Sequence, residues 1–144
     1  MDSKEFKKIF GEVAKANEFE SAFGGWFRES AESIIVLELQ KSSFSNSNYL
    51  NIKVFIQGAF ERTYTPNKDL IKSSTGHITN QIRDKEILDF DNSMNNDNRK
   101  EELEQLFSEF IVPFADKALS KSGIKELAEK GEITLLFAVK EELA

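Results

Sequence analysis

The sequence contains no cysteine and a single histidine, His77, among its 144 residues. The lack of Cys excludes disulfides, thiolate catalysis and zinc-finger chemistry. One imidazole is too few for a His-cluster metal site, so neither metal nor cofactor is expected. A basic excess is also missing: 25 acidic residues stand against 19 basic ones, for a net charge of −6. That balance argues against non-specific binding to nucleic acid, which needs a basic footprint. It favours a basic protein partner instead, because negative charge steers association with positive surfaces. No uninterrupted apolar run approaches the roughly 18 residues needed to cross a bilayer, and Ile34–Leu37 is only strand-sized. Met1-Asp2-Ser3-Lys4-Glu5 is charged from the outset and has no apolar h-region. The expectation is therefore no secretory signal, no membrane association and a cytoplasmic location.

What remains is ample for a core. Apolar residues make up 40% of the chain and include 13 Phe. A chain of this length forms one domain, residues 1–144, and buries about 70% of the surface it exposes when unfolded. The 31% of charged residues is ordinary globular usage and excludes wholesale disorder.

Phe6, Ile9, Phe10 and Val13 recur at helical spacing behind Asp2 and Glu5, which fit a capping box. This helix should fade near Asn17, a residue that tolerates left-handed closure. Residues 19–28 read as a strand or strand pair interrupted at Gly24-Gly25 by a bulge or a close backbone approach. Residues 33–41 are rich in aliphatic and β-branched side chains, and residues 49–60 alternate strongly. A Ser/Asn connection between them favours a turn. Tyr64-Thr65-Pro66-Asn67 reads as a turn, residues 77–83 as a fourth strand and residues 91–98 as a polar loop.

Asp97 or Asn98 can cap a helix carrying Leu103, Leu106, Phe107, Phe110 and Ile111, which Pro113 should kink or end near Val112. Its continuation through Phe114 and Leu119 should close at Gly123 as a left-handed cap, and a short helix over residues 124–130 should end at Gly131. Residues 133–143 favour a helix over a final strand. This order gives an α+β fold: an antiparallel β-meander of about four strands, with an N-terminal helix and C-terminal helices packed on the sheet.

A register for the long hairpin follows from matching side chains. Placing Glu38 opposite Lys53 pairs Leu37 with Val54, Leu39 with Ile52, Ile35 with Ile56, Val36 with Phe55 and Gln40 with Asn51. Cross-strand pairs of this kind contribute roughly 0.2–1 kcal/mol each, and a one-residue slip would turn the apolar set to the wrong face. The same pairing gathers Glu38, Gln40, Asn51, Lys53 and Gln57 on one face. These polar residues are either a partly solvated sheet face or a ligand or partner surface.

Other candidates weigh less. His77 has no nucleophile near it in sequence and reads as a structural imidazole. Asp91-x-Ser93-x-Asn95 with Asp97 and Glu102 imitates a calcium loop, but Asn96 stands where glycine is needed and no amphipathic helix precedes it. Gly24-Gly25 lacks the Lys-Ser/Thr pair of a phosphate loop. Trp26 reads as a core or half-buried strand residue, or as an interface anchor.

The segment Leu37-Glu38-Leu39-Gln40-Lys41-Ser42, a polar loop, and then Tyr49-Leu50-Asn51-Ile52-Lys53-Val54 resembles the bacterial family catalogued as domain of unknown function 4304. Gln40-Lys41-Ser42 with Asn51 is the distinctive part. The leading helix, the Phe-rich segment Phe19 to Phe27 and the helical last third extend the resemblance over nearly the whole chain. It implies this architecture and no established activity, substrate or cofactor. The candidate ligand- or partner-binding residues are thus Trp26, Glu38, Gln40, Lys41, Asn51 and Lys53, with no catalytic residue assigned. Two functions fit. One is a non-catalytic acidic interaction module, of the immunity or adaptor type. The other is a small-ligand binder or enzyme in which Gln40 and Asn51 supply amide hydrogen bonds, Lys53 an anion contact and Glu38 a base.

Overall fold

The computed structural model describes residues 2–144. Helix α1 (Ser3–Ala16) begins where the Asp2 carboxylate accepts the Glu5 N–H at 2.7 Å and ends at Asn17. It buries Phe6, Phe10, Val13 and Ala14 against the sheet. Five strands follow: β1 (Glu20–Ala22), β2 (Gly25–Glu29), β3 (Ser33–Lys41), β4 (Asn48–Ile56) and β5 (Ile78–Ile82). They form one antiparallel meander in sequential order, one strand more than the sequence pattern suggests. The addition is the short β1. Its turn to β2 is made by Phe23 (φ 51°) and Gly24 (φ 80°), two left-handed residues matching the strand twist. A tight turn, not a bulge, therefore interrupts residues 19–28. Gly25 supplies the close approach, since a Cβ there would lie 2.6 Å from Ile71 Cγ2 and 2.9 Å from the Leu37 carbonyl oxygen.

The β3–β4 register differs from the one inferred above. Glu38 pairs with Asn51, Leu37 with Ile52, Leu39 with Leu50, and Val36 with Lys53, a shift of two residues. Alternation fixes only the parity of a pairing, so every side chain keeps its expected face while its opposite number changes. The connecting loop decides between registers of equal parity. Ser42 N–H donates to the Ser47 carbonyl at 2.9 Å, and Ser42 Oγ accepts the Phe44 N–H at 3.1 Å. Ser47 is bridged to Asp89, while Phe90 N–H bonds the Asn46 carbonyl. Contacts from residues far along the chain thus anchor the loop.

One sheet face, with Ile35, Leu37, Leu50, Ile52 and Val54, packs on the helices to form the main core. The other carries a smaller cluster of Phe27, Ile34, Val36 and Phe55, roofed by Leu70 and Ile71 of a π-turn at Asp69–Ser73. That turn is capped by Asn67, whose Oδ1 accepts the Leu70 N–H at 2.9 Å. Both central strands are covered on two sides, but the roof reaches only part of the second face.

Helix α2 (Asn96–Leu106) is capped by Asn95, not by Asp97 or Asn98, because Asn95 Oδ1 reaches the Asn98 N–H at 2.8 Å. A π-turn at Phe107–Ile111 joins α2 to α3 (Val112–Ala118) without a break. The widened turn immediately precedes Pro113, whose ring and missing N–H cannot extend a regular i→i−4 ladder, so the helix passes the proline through the π-turn. Gly123 is not a cap. Ser120 caps α4 (Lys121–Glu129), and Gly123 lies within it, where a Cβ would fall 1.9 Å from the Lys117 carbonyl oxygen. Its absent side chain lets α3 and α4 approach. Gly131 (φ 74°) closes α4, as expected from sequence. Of residues 133–143, only α5 (Phe137–Leu143) is helical.

Candidate functional site

The uncovered part of the second sheet face is polar, and the chain shapes it into a cleft of ≈ 390 Å³. Its floor is Glu38, Gln40, Asn51, Lys53 and Gln81; residues 72–75 and Thr79 form the walls. Lys53 is buried (4% exposed), and its ammonium donates to Glu38 Oε1 at 3.0 Å and to the Ile71 carbonyl at 3.0 Å. Asn51 donates one amide proton to Glu38 Oε1 at 3.2 Å and the other to Gln40 Oε1 at 2.9 Å. Asn51 Oδ1 accepts from Gln81 Nε2 at 2.8 Å. The ion pair is therefore diagonal across the strands, with Asn51 as the hub of the network.

Four of the six candidate residues, Glu38, Gln40, Asn51 and Lys53, meet in this cleft. Trp26 and Lys41 do not line it. Trp26 pairs with Leu37 and lies on the helix side, its ring centroid 4.7 Å from that of Phe10 and its indole against Gly11. Lys41 is exposed at the end of β3. Lys72, Ser73, Ser74, Thr75, Thr79 and Gln81 were not singled out in the sequence. Thr79 and Gln81 enter the cleft through the pairing of β5 with β4, opposite Lys53 and Asn51, whereas only the return of the chain over the sheet brings residues 72–75 there.

Gln57 belongs to a separate arrangement at the other end of β4. Its side chain accepts the Tyr64 N–H at 2.7 Å and donates to the Tyr64 carbonyl at 2.8 Å. Beside it, Ile56 N–H donates to His77 Nδ1 at 2.9 Å, which leaves the proton on Nε2, 3.1 Å from Tyr64 Oη; that hydroxyl donates to the Ala59 carbonyl at 2.8 Å. His77 is a structural acceptor, and burial lowers its pKa. The folded value then lies below the unfolded one of about 6.5, so the unfolded chain takes up the proton first as pH falls. The contribution of neutral His77 is complete above about 6.5 and lost progressively below it. Urea midpoints should drop between about pH 7 and pH 5 in the wild type and fall less in His77→Gln. Equal slopes in the two proteins would assign the drop to other groups.

A second concavity, of ≈ 580 Å³, runs along β5 on the helix side. Ile82, Phe110, Pro113, Phe114 and Leu127 give it an apolar floor, and Glu109 and Glu132 stand at its rim. Phe110 is 41% exposed and stacks on Phe114, with centroids 6.1 Å apart and planes at 12°. Beside this groove, β5 is a sheet edge bonded only to β4; among the described residues nothing else hydrogen-bonds its main chain.

These features define an α+β domain whose last strand separates an apolar groove from a polar cleft. The chain belongs to the family described as domain of unknown function (DUF4304), whose model matches residues 10–117. The match takes in all five strands, α2 and nearly all of α3, and leaves α4 and α5 outside. No curated protein and no solved structure matches the chain. Among the described residues no helix is long and apolar enough to cross a membrane.

Proposed function

We propose that the chain is a non-catalytic interaction module of the bacterial cytoplasm, of the immunity or adaptor type, that captures an extended basic segment of a partner protein on the free edge of β5. The observation that carries this reading is the unpaired edge running beside an apolar groove. Free strand edges pair readily with further strands and are usually blunted or covered. An added strand satisfies the main-chain donors and acceptors, while the groove takes alternate side chains. The rim supplies the charge preference. Glu109 and Glu132 stand there, whereas Lys117 is already held by Glu126 at 3.0 Å, and the chain as a whole is acidic.

The test is affinity capture from the native host with the wild type and Phe110→Asp, followed by hydrogen exchange on the purified complex. The partner is expected to protect the amides of β5 and to bind Phe110→Asp at least about tenfold more weakly, as for a central aromatic anchor. Protection confined to other strands, or an unchanged affinity of Phe110→Asp, would refute the assignment. So would a dimer of the purified chain that Phe110→Asp dissolves, since the occupant would then be a second copy.

A further inference from the structure

The cleft on the other side of β5 calls for a different occupant. Three of its internal hydrogen bonds end on two atoms, Glu38 Oε1 and Gln40 Oε1. Asn51 has both amide protons donated and its oxygen accepting from Gln81. Glu38 Oε2 receives no hydrogen bond from a described residue, and Gln40 Nε2 donates none. Lys53 uses two of its three protons. On the wall, Lys72 is in no ion pair among the described residues; its ammonium lies beside Gly24 of the β1–β2 turn, and it lines the cleft together with Ser73, Ser74 and Thr75. The cleft therefore presents one free carboxylate oxygen, one free amide donor, a cation and a hydroxyl-bearing wall.

Two lysines against one carboxylate make the lining cationic within a chain of net charge −6. A volume of ≈ 390 Å³ lies at the small end of ligand sites, which span about 300–1,000 Å³. The floor is also rigid, because Asn51 and Lys53 are buried (6% and 4% exposed) and tied to neighbouring strands. Preorganised polar groups of this kind orient a ligand without the cost of ordering them on binding.

We propose that this cleft binds a small carboxylate with a hydrogen-bond donor on the adjacent carbon, an α-amino or α-hydroxy acid. Its carboxylate engages Lys72, the Ser74 and Thr75 hydroxyls and the free amide of Gln40. Its α-substituent donates to Glu38 Oε2.

Calorimetric titration of the whole chain with L-alanine, L-lactate, acetate and inorganic phosphate tests the assignment. Alanine or lactate is expected to bind, with acetate, which has no α-donor, at least about tenfold weaker. Lys72→Met should weaken the bound acid at least about tenfold and leave the thermal midpoint of the free protein unchanged. Glu38→Gln should weaken both acids at least about tenfold, because its one oxygen stays with Lys53 and Asn51 and the amide nitrogen in place of Oε2 cannot accept a hydrogen bond. Failure of all probes at millimolar concentration would overturn the proposal. Acetate or phosphate binding as tightly as the two acids, or binding indifferent to Lys72→Met, would do the same.

Discussion

Replacing Arg99 by Met should cost about 3–5 kcal/mol of folding free energy, the range for leaving buried polar partners uncompensated at several points at once. Arg99 is fully buried, with no exposed surface. Its guanidinium Nη1 donates to the Ile87 carbonyl at 2.6 Å and to those of Asp89 and Glu86 at 3.2 and 3.4 Å, and Nη2 reaches the Asn92 carbonyl at 3.2 Å. Among the described residues no carboxylate bonds it directly. Burial lowers its pKa, while the charges of Asp89 and Glu102 act in the opposite sense. One side chain thus satisfies four carbonyls of a segment that has little regular structure of its own. Asp89 bridges Ser47, and Asn46 Nδ2 donates to Asp91 at 2.9 Å, so the same segment also holds the β3–β4 loop. Met matches the length of Arg but donates nothing, and the carbonyls lose their donors in a place water reaches poorly. Equilibrium urea unfolding checks the value. Arg99→Lys should recover only part of the loss, because an ammonium cannot span the carbonyls that a planar fork does. A cost below about 1 kcal/mol for Arg99→Met would mean that water replaces the guanidinium freely.

Arg99 also marks where the sequence stops being legible. It stands in Asn-Asp-Asn-Arg-Lys-Glu-Glu, a strongly polar start to a helix, and of the carbonyls it holds, at residues 86, 87, 89 and 92, only the last falls in the polar loop that the sequence predicts over residues 91–98. A buried Arg is recognisable only through acceptors that other parts of the chain bring to it. By contrast, α1, β3, β4 and β5 are visible beforehand, because period and capping are local properties. So are the faces of β3 and β4: strict alternation puts Glu38, Gln40, Asn51 and Lys53 on one face in every register of the same parity. Register itself is not local. The two-residue shift depends on a loop fixed by Asp89 and Phe90, some forty residues onward. One wall of the cleft is hidden for the same reason, as Lys72–Thr75 form it only after the π-turn at Asp69–Ser73 settles on Gly25. Gly123 misleads because a glycine needed for helix contact looks, in sequence, like one needed for a left-handed cap.

The Glu38–Lys53 pair should respond to substitution in opposite ways depending on whether one partner or both are replaced. Lys53→Met alone is expected to destabilise by about 3–5 kcal/mol, since a charge left without its partner in a largely dehydrated place is worse than no charge. It strips Glu38 Oε1 and the Ile71 carbonyl of a donor together. Lys53→Met with Glu38→Leu should return to within about 1–2 kcal/mol of the wild type or exceed it, because apolar side chains of similar volume avoid the desolvation cost. The neighbouring surface accepts such a replacement: Ile34, Val36 and Phe55 on the same face already pack under Leu70 and Ile71. Denaturant unfolding of the wild type, the two single variants and the double variant closes the cycle. Recovery in the double variant would show that stability does not require these charges. The double variant should nonetheless lose the affinity of the cleft for an α-amino or α-hydroxy acid, because the free carboxylate oxygen that accepts from the α-substituent is gone from its floor. Should Lys53→Met cost less than about 1 kcal/mol, the pair behaves as an exposed one and the floor of the cleft is wet, which removes the preorganisation on which binding depends.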